Sequence, residues 1–484
     1  MLVEQAIRVD RFRDIARVVL KPAFSGHGRK HGCLPRRLQT LRLRASSVAP
    51  IETRYRGSLR PSQAWFSPAR QERTYGRDHY TRAVKVLLVG SGGREHALAW
   101  KLAQSPSLTE LHCAPGNPGI ARHGHCHPVR AEDAEGLLGL ARELAVELVV
   151  VGPEAPLVEG VADALRKNGV ATFGPSRAAA AIEGSKIFAK DVLRAAGVPT
   201  AQLLSVARPP CVIKADGLAA GKGVFVCRTQ DELDAALPAA ASLGQALVIE
   251  ELLEGPEVSV FALCDGADAV PLPSAQDFKR AYDGDVGPNT GGMGSYSPAP
   301  EVDVNELVDA IHRPVLAELA RRDSPFVGAL FAGLMLTDDG PRVLEFNCRF
   351  GDPETQSLLP RLDDGFLDAL AAAVAGDARG VQLPAGDDAA VTLVIAAGDY
   401  PAAGDTGSPI SGIEEAEAAG ALVFHAGTAV HHDRLVTNGG RILDVTALGS
   451  SIAQARERAY EAAAKISFAG ARYRRDIAQE AALV

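Results

Sequence analysis

Glu345 and Asn347 stand two residues apart in Val343-Leu344-Glu345-Phe346-Asn347-Cys348, where apolar and polar side chains alternate as they do along a strand. A carboxylate and an amide oxygen on one strand face lie side by side, and hard oxygens of that kind suit Mg²⁺ that also holds nucleotide phosphates. The alternation predicts Leu344, Phe346 and Cys348 facing a core, and by itself it also describes an ordinary strand with a solvated polar face. The turn that follows, Arg349-Phe350-Gly351-Asp352-Pro353-Glu354, favours chemistry. Three charges crowd around a glycine and a proline, and a cation at Arg349 beside bound phosphates would stabilise charge that builds during phosphoryl transfer.

Other stretches offer phosphate contacts. Cys211-Val212-Ile213-Lys214-Ala215-Asp216-Gly217-Leu218-Ala219-Ala220-Gly221-Lys222-Gly223-Val224 reads as strand, glycine-rich loop and strand. Its glycines let backbone amides approach a triphosphate, while Lys214 and Lys222 supply charge. It is not a P-loop, which needs a helix and a Ser or Thr after the lysine. Strand 246–250, followed by Glu251-Leu252-Leu253-Glu254-Gly255-Pro256-Glu257, can hold an adenine by backbone groups near Glu251 and Leu253 and a ribose by Glu257. Lys279 and Arg280 precede the glycine-rich stretch 287–296, which offers amide donors for a second phosphate. An ordinary surface loop there would leave Phe278 and Met293 oddly exposed.

These groups need a scaffold, and the chain reads as α/β. Strand 85–89 runs into Gly90-Ser91-Gly92-Gly93-Arg94-Glu95-His96 and a helix through 102, which makes an anion site at a helix N-terminus. A nicotinamide-binding crossover would look similar, but strand 108–114 ends in Pro115-Gly116-Asn117-Pro118-Gly119 without a ribose-binding acid. Strands at 144–151 and 171–174, with a helix at 161–168, continue the alternation and predict a parallel sheet. A helix and a new domain begin at Lys186. An Ala-rich helix closes that domain at 375, and strand 391–397 opens a small C-terminal one. There Asn438-Gly439 signals a hairpin, His431-His432-Asp433 reads as a solvated loop, and 452–466 reads as an amphipathic helix. His123, His125, Cys126 and His127 match no tetrahedral zinc spacing and read as a chance run.

Composition bounds the rest. A length of 484 residues, 46% hydrophobic and 23% charged, describes an α/β enzyme of two to four domains. No apolar run reaches the roughly 18 residues of a spanning helix, so no membrane segment is expected. Cysteines 33, 113, 126, 211, 227, 264 and 348 lack paired spacing and point to reduced thiols. Residues 1–84 carry 18 Lys+Arg against 6 Asp+Glu, and the rest carries 33 against 53. That acidic body argues against nucleic acid as partner. The basic stretch 1–83 reads as disordered or as lying outside the working protein, because Val84-Lys85-Val86 opens the first core strand where a chain could begin. A transit peptide, and with it an organelle, is the alternative, against which Glu4, Asp10 and Asp14 count.

In this order the pieces resemble the ATP-grasp ligases, and most closely the phosphoribosylamine–glycine ligase (glycinamide ribonucleotide synthetase) family. The resemblance runs from Val84 to about Ile477 and rests on GGREHALAWKLAQSP, VGPEAPLV, EGSKIFAKD, VIKADGLAAGKGV, GPNTGGMGSYSPAP, EFNCRFGDPETQ and VTNGGRIL. It implies a preATP-grasp parallel-sheet domain at 84–185, a two-subdomain ATP-grasp fold at 186–380 with a lid near 200–255, and a C-terminal α+β or barrel-like domain at 381–484. By matching motif, Lys186 and Lys214 would hold ATP phosphates, with Gly217, Leu218, Ala219, Ala220, Gly221, Lys222 and Gly223 over them. Glu250, Glu251 and Leu253 would face adenine and Glu257 the ribose. Glu345 and Asn347 would ligate Mg²⁺ or Mn²⁺. Gly93, Arg94, Glu95, Asn117, Lys279, Asn289, Thr290, Gly291, Gly292, Met293, Gly294, Asp352 and Glu354 would serve the two substrates, with Arg349, Lys214 and Asp352 as catalytic groups.

The reaction so implied is ATP-dependent joining of glycine to 5-phosphoribosylamine through glycyl phosphate, in purine synthesis, by a cytoplasmic monomer or homodimer. Another ATP-grasp ligase, a dinucleotide-dependent oxidoreductase and a non-catalytic nucleotide sensor are the alternatives. Two departures from the family pattern fall in the lid: 201–210 is too short for a helix, and the loop between 239 and 247 is cut.

Overall fold

The computed structural model describes residues 83–218, 223–243, 246–299 and 302–483. The basic N-terminal stretch and the loop residues Ala219, Ala220, Gly221 and Lys222 therefore lie outside the described residues.

The first sheet has the order β3-β2-β1-β4-β5 and is parallel throughout, with β1 Val84–Gly90, β2 Leu108–Pro115, β3 His125–Cys126, β4 Leu148–Val151 and β5 Thr172–Phe173. Crossovers α1 Gly93–Leu102, α2 Ala134–Glu143, α3 Glu154–Glu159 and α4 Val161–Lys167 connect the strands. Leu87, Val89, Val149 and Val151 enter one core, while Val86, Leu88, Leu148 and Val150 enter another. Burial on both faces explains the unbroken apolar runs in β1 and β4. The strand expected at 144–151 starts only at Leu148, because α2 runs to Glu143 and Ala145 turns the chain with φ 51°.

Next come α5 Arg177–Gly184 and α6 Lys186–Ala196, joined at Ser185, whose hydroxyl accepts from the Phe188 amide and caps α6. The three-stranded sheet β7-β6-β8 (β6 Cys211–Ala215, β7 Val224–Cys227, β8 Leu247–Glu251), named the lid sheet for its position in the stretch expected to be the lid, packs on α7 Gln230–Ser242. No helix forms between Ala196 and Cys211. The short segment instead runs along β8, where Leu204 donates to Ile249 O at 2.8 Å and Glu251 donates to Gln202 O at 3.0 Å.

The second layer is the antiparallel sheet β10-β9-β15-β16, built from β9 Glu257–Asp265, β10 Ala269–Pro271, β15 Val327–Thr337 and β16 Gly340–Asn347. Between β10 and β15 the chain forms β11 Gln276–Asp277, β12 Arg280–Tyr282, β13 Val286–Asn289, β14 Gly294–Ser297 and the helices α8 Val304–Leu307 and α9 Arg313–Arg321.

After β16 follow α10 Glu354–Leu358, α11 Phe366–Ala375, β17 Ala389–Ala396, β18 Asp405–Pro409, α12 Ile413–Ala418, β19 Leu422–His425, β20 Thr428–His431, β21 Arg434–Gly439, β22 Arg441–Gly449 and α13 Ile452–Ala463. The C-terminal sheet has the order β11-β14-β17-β22-β19, so two of its strands come from the middle of the chain. The hairpin expected at Asn438-Gly439 does not form there: β21 belongs to the sheet β18-β21-β20 and β22 to the five-stranded one. The tight turn is at His432-Asp433, between the paired residues His431 and Arg434. Both turn residues have positive φ, 48° and 57°, as a two-residue turn between twisted strands requires.

Strand β16 carries the residues singled out first, and its alternation is broken. Gly333 pairs with Glu345 but Leu334 pairs with Val343, which leaves Leu344 as a bulge. Val343, Phe346 and Cys348 enter the core, and Leu344, expected there too, lies half-buried on the side of Glu345 and Asn347. Phe346→Ala should therefore lower stability by about 3–5 kcal/mol through the cavity it leaves, and Leu344→Ala by clearly less. Urea-unfolding midpoints of the two variants check this, and equal losses would contradict the bulge.

Candidate active site

A cleft of about 1500 Å³ lies between the lid sheet and the sheet that ends in β16. At its lid side Lys186 donates to Gly217 O at 2.8 Å, and Lys214 donates to Leu344 O at 2.9 Å. Lys214 also pairs with Glu250 Oε2 at 2.8 Å, and Lys190 pairs with Glu250 Oε1 at 2.9 Å. Glu250 is 2% exposed. Its carboxylate is thus committed to clamping two lysines, although sequence reasoning set it beside Glu251 and Leu253 as an adenine contact. Val212, Leu253, Met335 and Leu344 give this end apolar walls, and Glu251 and Gly223 complete the lining. Leu218, at 37% exposure, is among the exposed large apolar residues. Glu257 meets Lys279 at 3.2 Å.

Burial disfavours the Glu345 charge, but Lys279, Lys214, Lys186 and Arg349 overturn this and hold its carboxyl below the usual range. The ion pairs of Lys279, Lys214 and Arg349 go to other acids, which leaves Glu345 surrounded by cations but not bonded to these three. Asn347 spends its amide nitrogen on Glu183 Oε1 and Phe346 O, both at 3.1 Å, so Oδ1 is its remaining polar atom. An ionised carboxylate and an amide oxygen on neighbouring positions fit a hard divalent cation. Among the described residues no group of three or more His, Cys, Asp or Glu is placed to hold a metal. An ion here would therefore complete its shell with nucleotide oxygens and water. In the 123–127 run, His127 Nε2 lies 3.1 Å from Nδ1 of His112 on the neighbouring strand.

Arg349 bridges two acids, Glu154 at 3.1 Å and Glu183 at 3.3 Å. Burial would raise the Glu154 pKa, but Arg349, with Arg94 behind it, takes it down to about 2. Burial pushes Glu183 up, against the pull of Arg349. Farther along the cleft, burial carries Asp277 up to about 8 despite Lys279 nearby, and raises the Glu354 carboxyl as well.

A second cavity of about 350 Å³ opens over the glycine turn at the start of α1. Gly93 and Asn117 line it together with Thr428 and Asn438 from the C-terminal sheets, while Asp352 and Arg441 line both cavities. Arg441 donates to Asp352 Oδ2 at 2.9 Å, Asp352 O at 2.9 Å and Gly291 O at 2.7 Å.

Some predicted substrate residues build the walls instead of offering free groups. Glu95 is 2% exposed, accepts from Gly92 N at 2.7 Å and from Arg94 Nε at 2.6 Å, and so pins the glycine turn. Asn117 donates to Ser91 O and His425 O and accepts from Gly119 N and Ile120 N, which spends both ends of its amide on backbone. Thr290 bonds Lys279 O and the Gly292 amide. Asn289, Thr290 and Gly291 line the large cleft, but Gly292 packs against Pro353, Met293 is wholly buried, and Gly294 begins β14 paired with Leu393. Only Gly294 of these three lies in a strand, while the Gly292 amide donates to Thr290 Oγ1 at 3.0 Å and the Met293 amide to Phe278 O at 2.8 Å. Sequence reasoning assigned no role to Glu154, Glu183, Lys190, Asp277 or Arg441. Glu154, Glu183, Lys190 and Arg441 lay inside motifs already noticed, and only their contacts were missing.

The chain matches the family models for phosphoribosylglycinamide synthetase over its N domain at residues 84–183, its ATP-grasp (A) domain at 184–355 and its C domain at 390–480. It is 50% identical over 418 residues to a phosphoribosylamine–glycine ligase of Streptomyces coelicolor, covering 82% of this chain and 100% of the relative. For one of Agrobacterium fabrum the identity is 48% over 418 residues, covering 82% and 99%. The crystal structure of the Thermotoga maritima phosphoribosylamine–glycine ligase superposes with a TM-score of 0.71 at 36% identity, covering 81% of this chain and all of that one. A biotin carboxylase domain of Hydrogenobacter thermophilus, in complex with MgADP and bicarbonate, shares the fold at a TM-score of 0.60 and 17% identity, covering 81% and 92%. With models matching all three parts and half the residues identical to a relative covered end to end, the chain belongs to the phosphoribosylglycinamide synthetase family.

Proposed function

We propose that the two neighbouring cavities perform, in succession, the two halves of one ligation. The chain is an ATP-dependent phosphoribosylamine–glycine ligase: it joins glycine to 5-phosphoribosylamine and yields glycinamide ribonucleotide, ADP and phosphate, a step of purine synthesis. In the first half an oxygen of the glycine carboxylate bonds to the γ-phosphorus while the bond to ADP breaks, giving glycyl phosphate. In the second half the ribosylamine nitrogen bonds to the glycyl carbonyl carbon, phosphate leaves and the nitrogen gives up a proton.

The groups that meet in the first half, the glycine carboxylate and the triphosphate, are both anionic, so the cleft must offset their repulsion. Lys186 and Lys214 sit where the triphosphate would run, and Arg349 lies where charge builds as phosphorus changes partners. The residues that would hold a metal are Glu345 and Asn347, and the hard-oxygen donor set favours Mg²⁺, which would supply charge neutralisation there. Asp277 and Glu354, whose charge burial disfavours, are the acids that a glycine ammonium would draw into the ionised form. The smaller cavity, over the N-terminal turn of α1, suits the ribosyl phosphate. The observation that carries this reading is that Asp352 and Arg441 line both cavities, so amine and acyl phosphate can meet at their shared wall.

ADP release measured with glycine and phosphoribosylamine, separately and together, should be fast only with both. Release driven by a different acid or amine would redirect the assignment to another ATP-grasp ligation. Glu345→Ala should abolish turnover while leaving the melting temperature within a few degrees of the parent; turnover retained at saturating Mg²⁺ would remove Glu345 from the metal. Because the folded-state pKa of Glu154 is depressed from 4.5 to about 2, the stability it contributes is present above pH 4.5 and is lost as pH falls toward 2. Glu154→Gln should flatten urea-unfolding midpoints over that window, and an unchanged acid slope would contradict the pairing with Arg349.

A further inference from the structure

Glu183 sits on the last turn of α5, 164 residues from Asn347 in sequence, yet it is bonded to three consecutive residues at the end of β16. Its Oε1 accepts from Asn347 Nδ2 at 3.1 Å and from Arg349 Nη2 at 3.3 Å, and its Oε2 accepts from the Cys348 amide at 2.7 Å. Only 7% of the side chain is exposed, so water does not compete for these bonds.

The chemistry of the neighbour gives this contact its meaning. A side-chain amide presents an oxygen or a nitrogen according to how it is turned, and only the oxygen can ligate a metal ion. Glu183, with Phe346 O, accepts from the nitrogen of Asn347 and thereby commits Oδ1 to the opposite direction. The same carboxylate meets Arg349, which keeps a separate partner in Glu154.

We propose that Glu183 is a positioning residue, fixing Asn347 with its oxygen toward the divalent cation and holding Arg349 in line behind it. The inference rests on the reading of Glu345 and Asn347 as metal ligands. Glu183→Gln keeps the shape and one acceptor oxygen, which Cys348 can still use, but sets an NH₂ group among the donors of Asn347 and Arg349. Asn347 then gains by turning its oxygen inward, which aims its nitrogen at the ion.

The test uses Mn²⁺ as probe, followed by its EPR signal on the full-length protein saturated with ATP, alongside ATP affinity without metal and the melting temperature. Glu183→Gln should weaken Mn²⁺ binding about 10–100-fold, the usual effect of losing a ligand-orienting partner, with metal-free ATP affinity unchanged. Asn347→Ala should weaken it as well, and the double variant no more than Asn347→Ala alone, because the first residue acts through the second. Full Mn²⁺ affinity in Glu183→Gln while Asn347→Ala loses it, or losses that simply add, would overturn the positioning role and leave the metal reading standing. Full affinity in Asn347→Ala would overturn the metal reading itself. If Glu183→Gln does not fold, Glu183→Asp asks the same question, since the shorter carboxylate cannot reach all three donors; unweakened Mn²⁺ binding there would count against the proposal.

Discussion

The whole site depends on one constraint: its charges are buried wholly or in part, and a charge withdrawn from water survives only when it is paired. Glu250 between Lys190 and Lys214, Arg349 between Glu154 and Glu183, and Arg441 on Asp352 are the three solutions. Each pairs groups from distant parts of the chain, so forming the pairs also fixes the elements that carry them. Glu345 stands apart, with cations around it and Lys214, Lys279 and Arg349 bonded elsewhere.

Pairing also explains the division of labour among neighbours. Glu95 and Asn117 were read as substrate contacts from the family motifs they stand in, but the polar atoms of Asn117 are bonded to backbone and those of Glu95 to the Gly92 amide and the Arg94 side chain. They give the turn its shape, and Gly93 inside it has no room for a side chain because Asp444 lies against it.

Local pattern carried most of what was legible in the sequence. The unbroken apolar strands of a sheet buried on both faces, the glycine turn into α1 and the polar pair Glu345/Asn347 all follow from neighbours in sequence, and the motifs gave the family. Pattern failed where an outcome depended on distance. Alternation could not reveal that Leu344 bulges, since the cause is a register shift against Gly333 and Leu334. Asn438-Gly439 has good turn chemistry, yet its two flanking strands are claimed by different sheets, and His432-Asp433 turns instead. Glu183, Glu154 and Arg349 are separated by 166 and 195 positions, so nothing in their spacing announces a cluster.

Strand β14, from the middle of the chain, lies between β11 and β17 in the C-terminal sheet. The parts matched by separate family models are therefore stitched together by backbone hydrogen bonds. A polypeptide ending before residue 389 would leave the flank of β14 bare, a ready template for another copy to pair with. Recombination or truncation at that seam would thus be punished by aggregation before any question of turnover arose, which confines tolerable gene fusions to places outside it.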